Sequence, residues 1–223
     1  MKFSKIIGYS VAPVLALCLS SVSQAAVIAS FESSGITSNQ VGLSTITFET
    51  LGSHDGTTNC AYTSCSGDFQ VRTNDGHVHQ SAAPFMATPV GEDWLTVPNP
   101  NSNGSATFTL GGSYNYFGLF WGSIDTYNSI AFFDGATEIA SFSGGDLTPG
   151  LQADGGQGDW LSNRFINFNF TGGDTYDSFK LTSNGFAFET DNHAFGNVPE
   201  PSILALFGLG LAGLGFARRR STK

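Results

Sequence analysis

Two closely spaced histidines, His77 and His79, are candidate metal ligands. His77 and His79 flank one residue, so in an extended segment both imidazoles lie on one face, where they could bind a metal ion. Without two further ligands at suitable spacing, solvated loop histidines are the favoured interpretation. The sequence also lacks a G-x-S-x-G elbow, an H-E-x-x-H motif, a P-loop and a dinucleotide fingerprint. It therefore predicts a protein that is not an enzyme.

Two cysteines, Cys60 and Cys65, are close enough in sequence to pair locally. If the chain is exported to an oxidising compartment, as its N-terminus predicts below, a disulfide between them is favoured. The alternative is a zinc site that also uses His54, His77 and His79, but the C-x2-C spacing of four-ligand zinc sites is missing. The predicted disulfide would pin a loop rather than hold the fold together, because it closes only a few residues.

The charge distribution excludes one class of partner. Residues 26–198 contain 17 acidic residues and three basic ones, Arg72, Arg164 and Lys180, which gives this part of the chain a formal charge of −14. Phosphate backbones are bound by clustered Lys and Arg side chains. The protein is therefore not expected to bind nucleic acid.

The elements that must position these side chains are short strands. Runs rich in Phe, Ile, Val and Thr are separated by clusters of Gly, Asn, Asp and Ser, which is typical of a β-sandwich. Residues 166–170 alternate apolar and polar side chains, as a half-buried antiparallel strand does. Asp134-Gly135 lies between two apolar runs and predicts a tight hairpin turn. The predicted strands are residues 45–50, 69–73, 94–97, 105–110, 116–121, 129–134, 137–143, 165–170, 178–183 and 186–190. We expect one all-β domain, an antiparallel, jelly-roll-like β-sandwich over residues 26–197.

The N-terminus predicts a secretory signal peptide over residues 1–25. Lys2 and Lys5 precede an apolar stretch, and a small-x-small pattern ends at Ala25 before Ala26, the predicted cleavage site for signal peptidase. The alternative is an uncleaved anchor, which is disfavoured because the apolar run is short for a membrane span.

The C-terminus, residues 198–223, has three successive parts. A Pro-Glu-Pro motif is followed by an apolar segment, residues 202–217, which predicts a helix that can insert transiently into a membrane, and then by a basic cluster that should stay cytoplasmic. The motif is Pro199, Glu200 and Pro201, and the cluster is Arg218, Arg219 and Arg220. This arrangement strongly resembles the PEP-CTERM sorting signal of bacterial proteins processed by exosortase.

That resemblance implies a route through the cell. The protein would be exported by the general secretory route of a Gram-negative bacterium and held transiently in the inner membrane by its C-terminal transmembrane helix. Exosortase would process it near the Pro-Glu-Pro motif and leave the body at the cell surface or in an extracellular matrix. The alternative is a plain C-terminal membrane anchor.

The body itself resembles a subfamily of exosortase-dependent surface proteins. The resemblance lies in residues 114–128, 132–133, 171–173 and 188–192, and it implies a localisation rather than a reaction. Glu49 on the first predicted strand, with Glu189 and Asp191 on the last, resembles the carboxylates that hold a structural calcium ion in jelly-roll carbohydrate-binding modules. Calcium prefers such hard oxygen ligands. The alternative is that these carboxylates are exposed residues that keep the protein soluble.

The same likeness makes carbohydrate a candidate ligand. Sugar sites present aromatic faces beside polar groups, and Trp160, in a polar stretch, is the best candidate for an exposed platform, whereas Trp121 should be buried. We expect a secreted, exosortase-processed surface or extracellular-matrix protein without catalytic activity. The alternatives are a carbohydrate-binding module for exopolysaccharide, stabilised by calcium, and a secreted hydrolase.

Overall fold

A computed structural model describes residues 26–51, 58–73, 81–85, 92–147, 150–199, 206–214 and 218. Within these ranges two antiparallel sheets pack face to face, so the predicted all-β sandwich is confirmed. Some residues singled out in the sequence lie outside the described ranges: the signal peptide with Ala25, the three histidines His54, His77 and His79, and Glu200, Pro201, Arg219 and Arg220.

Twelve strands form the two sheets. Their bounds are β1 Ala26–Phe31, β2 Ser44–Ile46, β3 Ser64–Gly67, β4 Gln70–Thr73, β5 Asp93–Val97, β6 Gly104–Tyr114, β7 Tyr116–Gly122, β8 Asn128–Asp134, β9 Thr137–Ser143, β10 Arg164–Thr171, β11 Tyr176–Ser183 and β12 Phe188–Gly196.

The larger sheet has seven strands in the order β1-β10-β7-β12-β5-β4, and β2 also pairs with β12. Strand β12 therefore lies inside the sheet, with β7 along one side and β5 and then β2 along the other. Its register against β7 shifts between Asp191 and Ala194, where Asn192 has a positive φ of 52°. This bulge allows both Thr190 and His193 to face the other sheet.

The smaller sheet has the order β3-β6-β11-β8-β9. In β6, the apolar residues Ala106, Phe108 and Leu110 alternate with less buried polar residues, as the period of two of a half-buried strand requires. The core between the sheets is strongly aromatic. Phe117 of β7 contacts rings from both sheets, including Phe132 at 5.5 Å and Phe179 at 4.6 Å between centroids.

The outer face of the larger sheet is covered as well. Tyr116, Phe120, Phe165 and Ala194 form a second buried cluster there, against which Ile36, Leu43, Trp160 and Val198 pack. This cover also buries a polar residue of β10 that the sequence predicts to face solvent. Asn167 is buried, and its side chain accepts a hydrogen bond from the Tyr116 hydroxyl at 2.5 Å and donates to Glu32 at 3.2 Å.

Two local predictions are corrected by the backbone. The predicted strand over residues 45–50 ends at Ile46, because Phe48 takes a positive φ of 69° and Glu49–Leu51 forms a 3-10 helix. The β8–β9 hairpin is confirmed, but its two turn residues are Gly135 and Ala136, since Asp134 still pairs with Thr137. Of the turn residues only Gly135 has a positive φ, 57°, which suits a turn that needs glycine at its first central position.

The C-terminal segment contains a short helix over residues 206–214. Its large apolar side chains, such as Leu206 and Leu214, are exposed. Among the described residues, no helix combines the length and the apolar character that a membrane crossing requires.

Candidate functional site

The last described residues of the body are held by an asparagine at the β6–β7 corner. The Asn115 side-chain amide donates from Nδ2 to the carbonyl oxygen of Val198 at 2.8 Å, and its Oδ1 accepts the Val198 N–H at 2.7 Å. The Asn115 backbone N–H in turn donates to the side-chain oxygen of Asn197 at 3.1 Å. These bonds continue the pairing of the chain for two residues beyond the end of β12 at Gly196.

The two segments outside the sandwich leave from the same end of the larger sheet. Ala26, the first residue of β1, pairs with Thr171, and Phe170 donates its N–H to the Asn115 carbonyl at 2.9 Å. Asn115 binds Val198 on the next strand along, and Pro199 is exposed. With three strand spacings between β1 and β12, the two exits lie roughly 14 Å apart.

Glu189 and Asp191, two of the three predicted calcium ligands, are buried on the outer face of β12. Glu189 accepts a hydrogen bond from the Ala82 N–H at 3.0 Å, and burial raises the pKa of its carboxyl to about 8. Burial likewise raises the pKa of Asp191 to about 8, although its carboxylate accepts the Asn192 N–H at 2.6 Å. At neutral pH both side chains are thus mainly protonated.

The third predicted ligand, Glu49, belongs to a neighbouring group of acids. Its negative charge, together with those of Glu92 and Asp93, adds to the raised pKa of Asp191, whereas the acid that acts on Glu189 is Asp125. Of the three predicted ligands, Glu49 is exposed, whereas Glu189 and Asp191 are buried. Within the described ranges no three His, Cys, Asp or Glu side chains are arranged to hold a metal ion. Calcium binding stays a prediction.

Cys60 and Cys65 are joined by a disulfide in the structure, with their Cα atoms 5.7 Å apart. Cys65 lies in β3, at the edge of the smaller sheet. The bond therefore anchors the segment before β3 to that edge strand.

Trp160 is half-buried rather than the exposed platform that the sequence predicts. Its ring meets Phe85 at 5.5 Å and Phe120 at 6.3 Å, both edge to face, and the Arg164 guanidinium lies 5.9 Å from its centroid. The loop that carries Trp160 folds onto the outer face of the larger sheet. Trp121 is fully buried, as the sequence predicts, and stacks on Phe188 at 4.2 Å.

The C-terminal segment that Asn115 holds matches a known family model. Residues 197–220 match the model of the PEP-CTERM protein-sorting motif. The chain carries a PEP-CTERM sorting signal. Proteins with this signal are exported and sorted to the cell surface, and the motif implies processing by exosortase. Arg218 of the basic cluster is exposed and helical. No curated protein and no solved structure matches the chain.

The core of the sandwich contains a polar group that sequence reasoning missed. His193 is fully buried between the sheets, where its Nδ1 shares a short hydrogen bond with the Tyr62 hydroxyl and its Nε2 lies 2.8 Å from the Thr190 hydroxyl. Phe48 and Phe117 pack edge-on against the imidazole at 5.1 and 5.5 Å. Burial lowers the pKa of His193 to about 3, so the ring is neutral at physiological pH. The available signal was a polar run, residues 189–193, that begins in the predicted strand over residues 186–190 and continues beyond it.

The buried His193 predicts a loss of stability in acid. The unfolded chain takes up a proton at this residue below about pH 6.5, whereas the folded protein does not until about pH 3. Across that window the free energy of unfolding of the wild type should fall by about 1.4 kcal/mol per pH unit relative to a His193→Gln variant. Denaturant unfolding at a series of pH values measures this difference. The core variant Phe132→Leu, away from the imidazole, should lose the same free energy at every pH. Parallel curves for wild type and His193→Gln would contradict the assignment.

The buried Glu189 predicts the opposite dependence. Its folded pKa is raised to about 8, so the stability it contributes is complete below about pH 4.5 and declines as the pH rises towards 8. A Glu189→Gln variant keeps an acceptor for the Ala82 N–H and has no proton to lose. It should match the wild type near pH 4 and become more stable than the wild type by several kcal/mol near pH 9. Urea unfolding at both pH values tests this expectation, with Glu138→Gln on the exposed face of β9 as the control that changes little at either.

Proposed function

We propose that this protein is a surface or extracellular-matrix protein whose sandwich is the cargo of exosortase sorting and has no catalytic activity. The observation that carries the proposal is the direct connection between the PEP-CTERM motif, residues 197–220, and β12. Because β12 lies inside the larger sheet, processing near the motif delivers the entire sandwich. The sandwich is exported through the inner membrane and then released from the C-terminal helix.

The burial and hydrogen bonds of the ionisable side chains support a non-catalytic role. His193, Glu189 and Asp191 belong to the residue types that most often act as acids, bases or ligands. Each is nearly inaccessible to solvent, and each makes hydrogen bonds within the body. Among the described residues, these side chains bond to groups of the fold itself, and their burial supports a structural role rather than contact with a polymeric substrate.

Two further features suit the outside of the cell. The Cys60–Cys65 disulfide persists in oxidising surroundings. The formal charge of −14 over residues 26–198 keeps copies of the body apart and soluble.

Replacement of the sorting motif should block delivery. In the native bacterium, a variant with Pro199→Ala, Glu200→Ala and Pro201→Ala should accumulate in the inner-membrane fraction as an uncleaved form, while the wild type appears as a shorter product at the surface or in the medium. Fractionation, immunoblotting and intact-mass measurement follow both forms. The exposed Asn101→Ala variant should be sorted normally. Normal delivery of the motif variant would argue against exosortase sorting.

The proposed absence of catalysis is testable on the purified protein. Incubated with exopolysaccharide from the native bacterium, it should release no reducing ends above the buffer blank, whereas a glycoside hydrolase added in parallel does. Release that is lost when a single carboxylate is replaced would favour the secreted hydrolase instead. Retardation by polysaccharide that disappears in Trp160→Ala, with the thermal midpoint unchanged, would favour a carbohydrate-binding module.

A further inference from the structure

Asn115 bonds to the chain just beyond the last strand, where the sorting signal begins. β12 ends at Gly196, and its pairing with β7 ends in the Gly196–Tyr116 pair. Beyond that pair, one side-chain amide supplies both a donor and an acceptor to the backbone of Val198. An amide is suited to this task because it presents the same two groups as a peptide unit.

The residue held in this way, Val198, directly precedes the Pro199–Glu200–Pro201 motif. Pro199 directly follows Val198 and has no N–H of its own to pair with a neighbouring chain. The side chain of Val198 also packs against the cluster of Tyr116, Phe120, Phe165 and Ala194 on the outer face. The folded body thus continues up to the motif, and no free linker separates the two.

The short connection limits where the body can be during processing. From Val198 to Ser202, the first residue of the apolar segment, an extended chain spans at most about 14 Å. When that segment is inserted in the inner membrane, the end of the sandwich with Asn115 must therefore lie close to the membrane surface. This orientation also suits β1, because Ala26, where the N-terminal segment joins the sandwich, lies at the same end.

We propose that Asn115 is a positioning residue for exosortase: by fixing both backbone groups of Val198, it makes the Pro199–Glu200–Pro201 motif begin at the surface of the folded body. Pro199, the first residue of the motif, then starts from a fixed point on the body, and the hydrogen bonds before it stay within the fold. The inference rests on the proposed sorting route and goes beyond it by naming how the body takes part. No contact between Asn115 and exosortase is implied.

Processing kinetics in the native bacterium test the role. In a pulse-chase experiment, Asn115→Ala should convert from precursor to product at least about threefold more slowly than wild type, because the motif is no longer held in place. Asn115→Asp should behave similarly, since a carboxylate cannot donate to the Val198 carbonyl. The matched control Asn184→Ala, an exposed asparagine at the opposite end of the sandwich, should be processed at the wild-type rate.

A linker variant separates positioning from a general effect on folding. A short Gly-Ser insertion between Val198 and Pro199 leaves every residue of the sandwich in place and frees the motif, so it should slow processing as much as Asn115→Ala does. In that background, adding Asn115→Ala should cause no further slowing. The inference is overturned if the insertion alone leaves the rate unchanged, or if Asn115→Ala slows processing by the same factor with and without the linker.

The motif variant distinguishes failure of the inference from failure of the sorting proposal. If the variant with alanines at residues 199–201 is processed like wild type, exosortase sorting itself is wrong. If that variant is blocked and Asn115→Ala is processed at the wild-type rate, sorting stands and the positioning role of Asn115 is wrong. Thermal midpoints of the purified full-length variants show how far each substitution changes the fold.

Discussion

Burial of β12 on both faces is the constraint on which the rest of the structure depends. One face of the strand contributes to the core between the sheets, and the other is covered by loops from distant parts of the chain. Leaving a polar group of such a strand without a partner would cost free energy. His193 accordingly lies between Tyr62 and Thr190, and Glu189 accepts the Ala82 N–H. Burial lowers the pKa of His193 and raises that of Glu189.

The cover over the outer face has a second consequence. The loops that bury Tyr116 and Phe120 also fold Trp160 against the sheet, where this half-buried side chain makes packing contacts with Phe85 and Phe120. The same cluster receives Val198, which ties the start of the sorting signal to the sheet. The outer face of the larger sheet thus holds the second buried cluster, the partners of buried polar groups and the start of the sorting signal.

Much of the general plan follows from local pattern. Alternating apolar residues predicted the antiparallel strands, and Asp134-Gly135 predicted the β8–β9 hairpin with its turn one residue too early, because the strand period and the turn conformation are properties of neighbouring residues. The order of the strands, the 3-10 helix at Glu49–Leu51 and the bulge at Asn192 depend on partners far away in sequence. The pattern also did not reveal that Glu49 is exposed whereas Glu189 and Asp191 are buried.

The sequence by itself determined the sorting signal and the fold class. A Pro-Glu-Pro motif with its apolar and basic segments is a linear pattern, and residues 197–220 carry it without help from the fold. Only the tertiary structure decided that His193 lies in the core and that Asn115 holds Val198. Both relationships join residues 83 or more positions apart, and they exist only because the sheets bring those residues within hydrogen-bonding distance.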